Sequence, residues 1–216
     1  MKKTDPKKVA ALVSGGGSNL QALLDAVDRG EVPAVITLVI SNKPGVYALK
    51  RAEDCGIPTV VIDHHDFITA EEFSGAILKR LREAKVDLVC LAGFMRILAP
   101  CIPEAYPNRI LNIHPALLPA FGGKGLYGLK VHQAVLASGA RYSGATVHIV
   151  TAEPDRGPIV CQGIVEVKDD DTPQSLAHRV LQVEHKIYPE ALRLLAEELI
   201  EVNGLRTRLK IMENQE

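Results

Sequence analysis

The chain has 216 residues, of which 47% are hydrophobic, with 25 Lys and Arg against 26 Asp and Glu. A formal net charge of −1, without a cluster of basic and aromatic residues, argues against a nucleic-acid partner. No apolar run approaches the ~20 residues that span a bilayer, and the basic N-terminus lacks the apolar segment of a secretion signal, so we expect a cytoplasmic protein without a membrane partner.

The length fits a single domain. We expect this domain to span residues 1–216, with a core from about residue 8 to residue 200 and a C-terminal tail at 201–216. Cys55, Cys90, Cys101 and Cys161 show no Cys-x-x-Cys spacing, and the seven histidines lack metalloprotease spacing. We therefore predict free thiols and no metal site.

Five short apolar runs in the first half of the chain are typical of parallel strands that are buried on both faces. They occupy residues 9–13, 34–40, 59–62, 87–93 and 110–113. Apolar residues at helical spacing lie between the first two runs (Leu20, Leu23, Leu24, Val27) and between the third and fourth (Phe73, Ala76, Ile77, Leu81). This alternation predicts a doubly wound, mostly parallel α/β sheet of Rossmann-like architecture.

The pattern changes after residue 140. Residues 145–150 and 159–167 are predicted strands, and the loop between them is too short for a helical crossover, which favours antiparallel neighbours. Thr172 as N-cap and Pro173 at the first helical position predict a long helix over 173–199. The segment from Asn203 onward either adds an edge strand or frays.

Ligands of open α/β sheets bind beyond the carboxyl ends of the strands. The loops expected to carry ligand-binding residues are therefore 14–19, 41–46, 63–69, 93–98 and 114–125.

The first of these loops carries SGGGSNL, residues 14–20, between a predicted strand and a predicted helix. Its glycines let the backbone approach a ligand, and the free N–H groups of the first helical turn, with the Ser18 and Asn19 side chains, form an anion site. A plain helix cap is the alternative. Leu20 stands where a nicotinamide fingerprint has its third glycine, and the second strand ends in Ser41 and Asn42 without a ribose-binding acid. We expect no nicotinamide cofactor, and a phosphate monoester as ligand.

Two polar residues interrupt the apolar segment RILNIHPALLPA, residues 109–120. Asn112 and His114 are two apart in a predicted strand, so they project from the same face, and Pro115 ends the strand. An amide N–H and an imidazolium N–H are donors suited to an oxyanion on a carbonyl carbon under attack. Because no Gly-x-Ser-x-Gly elbow is present, the pair favours acyl transfer directly between substrates. A buried histidine bonded to a backbone carbonyl is the alternative.

The imidazole must be protonated to act as a donor. An ordinary pKa of ~6.5 leaves it mostly neutral at pH 7, so a nearby carboxylate would have to raise the pKa. Asp155, between the two predicted antiparallel strands, is the candidate, although an acid that shapes a turn is the simpler interpretation. His148 is expected to be a core histidine, and His64, His65 and His178 are expected at the surface.

Together these segments resemble the phosphoribosylglycinamide formyltransferase family. The matching stretches lie in order from residue 14 to residue 192: SGGGSNLQALLDA, VISNK, LAGFMRIL, ILNIHPALLP, GATVHIV, DRGPI and VEHKIYPEAL. The resemblance implies formyl transfer from the cosubstrate 10-formyltetrahydrofolate to the amine of glycinamide ribonucleotide in de novo purine biosynthesis, without a covalent enzyme adduct. It also implies a monomer or homodimer that binds small molecules only.

The resemblance implies a role for each matching residue. Asn112 and His114 are expected to stabilise the tetrahedral intermediate, with His114 as proton donor and Asp155 keeping it protonated. The residues expected to bind the ribonucleotide are Gly16, Gly17, Ser18, Asn19 and Glu184. Those expected to bind the folate are Met95, Arg96, Ile97, Leu98 and Asn112.

The sequence also departs from the family pattern. Many members have an arginine before the third helix that meets the folate glutamate, whereas this chain has Ile68, Thr69 and Ala70 there. Lys124 and Lys130 are candidates to replace it, although plain surface positions are the simpler interpretation.

Four other functions are alternatives to glycinamide ribonucleotide formylation. A formyltetrahydrofolate hydrolase is expected to carry His-His-Ser in place of His114-Pro115-Ala116, and a regulatory domain for which the residues before the glycine loop leave no room. A methionyl-tRNA formyltransferase needs a further basic domain, and a sugar-nucleotide formyltransferase does not need this glycine loop. A binding module without catalysis would tolerate replacement of Asn112 and His114.

Overall fold

The computed structural model describes residues 5–210, which contain nine strands and six α-helices. The strands are β1 Lys7–Val13, β2 Ala34–Ser41, β3 Thr59–Val61, β4 Leu88–Leu91, β5 Ile110–His114, β6 Tyr142–Ile149, β7 Ile159–Glu166, β8 Ile200–Asn203 and β9 Arg206–Leu209. The helices are α1 Ser18–Asp28, α2 Tyr47–Asp54, α3 Ala70–Glu83, α4 Cys101–Ala105, α5 Leu129–Ala137 and α6 Pro173–Ala196.

Seven strands form one sheet in the order β3-β2-β1-β4-β5-β6-β7. The pairs from β3 to β5 are parallel, whereas β6 is antiparallel to both β5 and β7. This confirms the predicted mostly parallel α/β sheet and its antiparallel end. Because β1, β4 and β5 are neighbouring parallel strands, their carboxyl ends meet at one edge of the sheet.

Two strands and one helix differ most from their predicted bounds. The predicted strand over 87–93 is shorter, because Gly93 adopts a φ of 75° and turns the chain out of the sheet. β6 begins earlier than predicted, because Tyr142 pairs with Glu166 of β7. The helix predicted to reach residue 199 ends at Ala196, and Glu198 then adopts a φ of 57°.

The C-terminal segment does not extend the main sheet as an edge strand. β8 and β9 instead pair antiparallel in a separate hairpin, and the hydroxyl of Thr207 donates to the carbonyl of Ile159 on β7 at 2.6 Å. The remainder of the predicted tail, residues 211–216, lies outside the described residues.

The sheet is covered by helices on both faces, as buried strands require. One core packs β1, β2 and β5 against α1 and α6, and the other packs the opposite face against α3 and α4. Tyr188 of α6 is fully buried and donates to the carbonyl of Leu111 on β5 at 3.2 Å. This bond holds α6 against the strand that carries Asn112 and His114.

The four cysteines are free, as predicted. Among residues 5–210, no helix combines the length and apolarity needed to cross a lipid bilayer.

Candidate active site

A cleft of about 750 Å³ opens at the carboxyl ends of β4 and β5. Three of the five candidate loops line it, namely 14–19 through Asn19, 93–98 and 114–125. The loops 41–46 and 63–69 follow β2 and β3, farther along the sheet, and contribute no lining residue. Nine predicted site residues line the cleft: Asn19, Met95, Arg96, Ile97, Leu98, Asn112, His114, Asp155 and Glu184.

Asn112 and His148 form a pair across β5 and β6, where they lie opposite each other in the antiparallel register. The Nδ2 of Asn112 is 3.1 Å from Nε2 of His148, and Nδ1 of His148 is 3.0 Å from the carbonyl of Ile149. Because that carbonyl accepts the Nδ1–H, Nε2 presents a lone pair to the Asn112 amide. His148 is buried, as predicted, but it also orients Asn112, which sequence reasoning missed.

His114 ends β5 and is only 4% exposed. Its Nε2 is 2.9 Å from the carbonyl of Phe121, so Nε2 carries the hydrogen and donates. Its Nδ1 lies 3.7 Å from Oδ2 of Asp155, which is a charge contact but too long for a direct hydrogen bond. Nδ1 is therefore the atom available for proton exchange beside the carboxylate.

The expectation that Asp155 raises the pKa of His114 above its ordinary value is wrong in net direction. Burial lowers this pKa more than the Asp155 charge and the bond to Phe121 raise it, and His148 lowers it further. Burial would raise the pKa of Asp155, but the hydrogen bonds and charges of its neighbours, among them the N–H of Gly123, lower it below its ordinary value. At neutral pH, His114 is therefore a neutral imidazole beside the ionised carboxylate of Asp155.

Asp155 reaches the cleft from the β6–β7 loop in a left-handed conformation, with φ 56°. Its Oδ2 accepts the N–H of Gly123 at 2.9 Å, and its Oδ1 lies 3.5 Å from Nε2 of His148. A Cβ on Gly122 would stand 3.1 Å from the Asp155 Cβ and 2.5 Å from Cδ2 of Leu118. The absence of a side chain at Gly122 therefore lets the two loops meet.

The glycine loop turns sharply at Gly17, the N-cap of α1, with φ 73°. A Cβ there would lie 2.6 Å from the Cβ of Ala48, so this turn requires glycine. No side chain caps α1, which counts against the plain-cap interpretation and leaves N–H groups of its first turn free for a ligand. Gly16 is exposed beside it.

Ser18 faces a smaller depression of about 340 Å³ next to the cleft. The depression is also lined by the cationic side chains Arg29 and Arg51, by His185 and by the carboxylate of Asp25. Arg51 holds the loop, because its Nε donates to the carbonyl of Gly16 at 2.9 Å.

Asn19 and Glu184 meet in the cleft although 165 residues separate them. The Nδ2 of Asn19 donates to Oε2 of Glu184 at 2.6 Å, and both side chains are buried. Burial raises the pKa of Glu184 above its ordinary value, against the lowering effect of the Asn19 bond. The Oδ1 of Asn19 has no partner among the described residues. This oxygen is a buried acceptor that is left without a hydrogen bond within residues 5–210.

The loop after β4 forms another wall of the cleft. Met95 and Ile97 are more than half exposed, whereas Leu98 is buried. Phe94, next to Met95, is stacked on Phe73 of α3 with 6.4 Å between ring centroids. The loop thus presents apolar surface to the cleft while its base is fixed in the core.

Other predicted positions are confirmed or corrected. His65 and His178 are exposed, as predicted, and His178 also lines the cleft. His64 is partly buried against Asn42, so its prediction as a surface residue is wrong. Lys124 and Lys130 are exposed, and Lys124 lines the cleft.

Asp63, His64 and His65 bring three possible metal-ligand atoms within 4.8 Å of one another, outside the cleft. The Asp63 carboxylate already accepts the N–H of His65 at 3.0 Å as the cap of a short 3₁₀ helix.

Residues 7–192 match the family model described as formyl transferase. The chain is 46% identical over 195 residues to the chloroplastic phosphoribosylglycinamide formyltransferase of Arabidopsis thaliana, covering 90% of this chain and 67% of that protein. It is 45% identical over 200 residues to the trifunctional purine biosynthetic protein adenosine-3 of Gallus gallus, covering 93% of this chain but only 19% of that much longer protein.

Among solved structures, glycinamide ribonucleotide transformylase 1 from Symbiobacterium toebii superposes with a TM-score of 0.90 at 42% identity, covering 95% of this chain and 94% of that chain. The chain therefore belongs to the formyl transferase family.

Proposed function

We propose that this protein transfers the formyl group of 10-formyltetrahydrofolate to the amine of glycinamide ribonucleotide, a step of de novo purine biosynthesis. The observation that carries the proposal is the convergence of Asn112, His114 and Asp155 in one cleft, between an apolar wall and a wall of hydrogen-bonding groups. We also propose that residues 1–216 act as one catalytic unit. The names of similar proteins with matching coverage support the same reaction.

The two walls suit two different substrates. The loop at Met95–Leu98 offers apolar side chains and backbone groups to a flat heterocycle such as a pterin. Glu184 is an acceptor that suits the hydroxyls of a ribose, and the first turn of α1 suits its phosphate. The reacting formyl group and amine would meet between the walls, at Asn112 and His114.

The reaction proceeds by direct attack. The amine nitrogen forms a bond to the formyl carbon, and the carbonyl electron pair moves onto the oxygen. One N–H of Asn112 is used by His148, and the second is available to that oxygen. The C–N10 bond of the folate then breaks, and one proton moves from the amine nitrogen to N10. The products are the formylated amine and tetrahydrofolate.

His114 carries that proton. A neutral imidazole at rest can accept it at Nδ1 from the attacking amine, and the ionised Asp155, 3.7 Å away, stabilises the imidazolium that results. Nε2 stays bonded to Phe121 throughout, so the ring keeps its orientation. The lowered pKa of His114 then makes the imidazolium a stronger acid toward N10.

The direct test mixes the protein with glycinamide ribonucleotide and 10-formyltetrahydrofolate and follows formation of tetrahydrofolate by absorbance. We expect turnover that requires both substrates and is lost with Asn112→Ala. An Asn108→Ala variant, altered outside the cleft, is the matched control for an asparagine change and should remain active. Turnover without the ribonucleotide would identify a hydrolase, and binding of both ligands without turnover would identify a binding module.

A further inference from the structure

A row of polar contacts runs along the sheet edge behind the cleft. The strand order β3-β2-β1-β4 brings together four residues from the segments that follow these strands. In that order they are His64, Asn42, Ser14 and Met95, and each contacts the next. The loops after β2 and β3 do not line the cleft, yet through this row they reach the loop that does.

The donors and acceptors in the row can be assigned. The backbone N–H of Met95 donates to Oγ of Ser14 at 2.8 Å, so the hydroxyl hydrogen of Ser14 is left to donate to Oδ1 of Asn42, at 2.5 Å. The Nδ2 of Asn42 then faces Nδ1 of His64 at 3.3 Å. Asn42 is fully buried and Ser14 nearly so, so water cannot replace either partner.

The Met95 bond fixes the middle of the apolar cleft wall. At the beginning of the loop, the N–H of Ala92 donates a hydrogen bond to the carbonyl of Leu12 at 2.9 Å. At its end, the N–H of Ala99 donates to Oγ of Ser74, also at 2.9 Å. Between these points the chain has no regular secondary structure. Ser14 is the side chain that sets where the backbone after Phe94 lies relative to the cleft.

We propose that Ser14, oriented by Asn42, is a positioning residue for the formyl donor: it holds the backbone of Met95 so that the 95–98 wall can bind the flat heterocycle. The inference rests on the proposed function, because it assigns this wall to the folate. Ser14 touches neither substrate and acts through the Met95 N–H alone.

The test uses Ser14→Ala in the full chain, with Ser143→Ala as the matched control. Ser143 is also a buried serine of the same sheet, but its hydroxyl has no partner among residues 5–210. Loss of one buried hydrogen bond corresponds to about a 3- to 10-fold effect on binding. We expect the KM for 10-formyltetrahydrofolate to rise by about this factor in Ser14→Ala, and the KM for the ribonucleotide and both KM values of Ser143→Ala to stay unchanged.

A second readout needs no turnover. The chain has three methionines, so ¹⁵N-methionine labelling gives a simple spectrum in which Met95→Leu identifies the Met95 amide. In the wild-type protein without ligand, this amide should be protected from hydrogen exchange, and Ser14→Ala should remove the protection. Equal rises in both KM values, or an unprotected Met95 amide in the wild type, would overturn the proposal. If the wild type shows no formyl transfer but its Met95 amide is protected, the proposed function fails while the contact between Ser14 and Met95 stands. Titration of Ser14→Ala and Ser143→Ala with tetrahydrofolate then decides whether Ser14 positions the wall.

Discussion

The side-chain amide of Asn112 donates to Nε2 of His148 at 3.1 Å, across two strands that pair antiparallel. An asparagine amide has nearly the same shape in its two orientations, and only one of them places Nδ2 beside Nε2 of His148. The lone pair of His148 selects that orientation, since Nδ1 of the same ring donates to the backbone of Ile149. His148 thus prepares Asn112 to stabilise an oxyanion.

Replacing His148 by Leu should therefore lower kcat by about tenfold or more, since the Asn112 amide loses the partner that selects its orientation. Steady-state kinetics with both substrates measures this effect. His132→Leu, which removes another buried histidine at the cleft but one without a bond to Asn112, serves as control. Equal losses of kcat in the two variants would contradict the orienting role.

His114→Ala should lower kcat by roughly 10²- to 10⁴-fold and leave both KM values nearly unchanged, because proton transfer contributes only in the transition state. The exposed His65, outside the cleft, provides the matched control His65→Ala, which should keep wild-type rates. An increase in KM with unchanged kcat would mean that His114 binds substrate rather than carries the proton.

Asp155→Asn should lower the pKa of His114 further, because the carboxylate is the main group that raises it against the effect of burial. An NMR titration of the His114 ring measures the change. Asp171→Asn removes another carboxylate, one that is paired with Arg179 away from the cleft, and should leave that titration unchanged. If both variants titrate like the wild type, the electrostatic link between Asp155 and His114 does not exist.

Gly17→Ala should raise the KM for the ribonucleotide by at least about tenfold, since the new Cβ would overlap Ala48 and displace the turn before α1. Gly30→Ala is the matched control, because Gly30 has almost the same φ, 72°, and no atom lies within 4 Å of the place its Cβ would occupy. Both variants should lose about 1 kcal/mol of stability from the left-handed conformation. Only Gly17→Ala should impair substrate binding.

The free energy of unfolding should fall as the pH is lowered from about 7.5 to about 5.5. Burial lowers the pKa of His114, His132 and His185, so the unfolded chain binds protons more readily than the folded one as the pH falls through ~6.5 and below. The raised pKa of Glu184 acts in the opposite direction but is a single group. Urea unfolding at several pH values measures the slope. His132→Gln should flatten this slope, whereas His65→Gln should not change it.

Local patterns in the sequence were sufficient to predict the seven strands of the main sheet and the helices α1, α3 and α6, because buried parallel strands must be apolar throughout and helices must bury one stripe. The helices α4 and α5 were not predicted. Because side chains alternate along a strand, the sequence also predicted that Asn112 and His114 share a face. These features depend on neighbours within a few residues, so local patterns are sufficient to predict them.

Contacts between groups far apart in the sequence could not be predicted in this way. The antiparallel register brings His148 to Asn112, the packing of α6 brings Glu184 to Asn19, and the order of four strands aligns Ser14 with Met95. The protonation state of His114 also depends on the tertiary structure. Burial of the ring lowers its pKa, the carboxylate of Asp155 at 3.7 Å raises it, and the effect of burial is the larger. Contact and burial depend on the whole packed chain, and no local pattern of residues contains them.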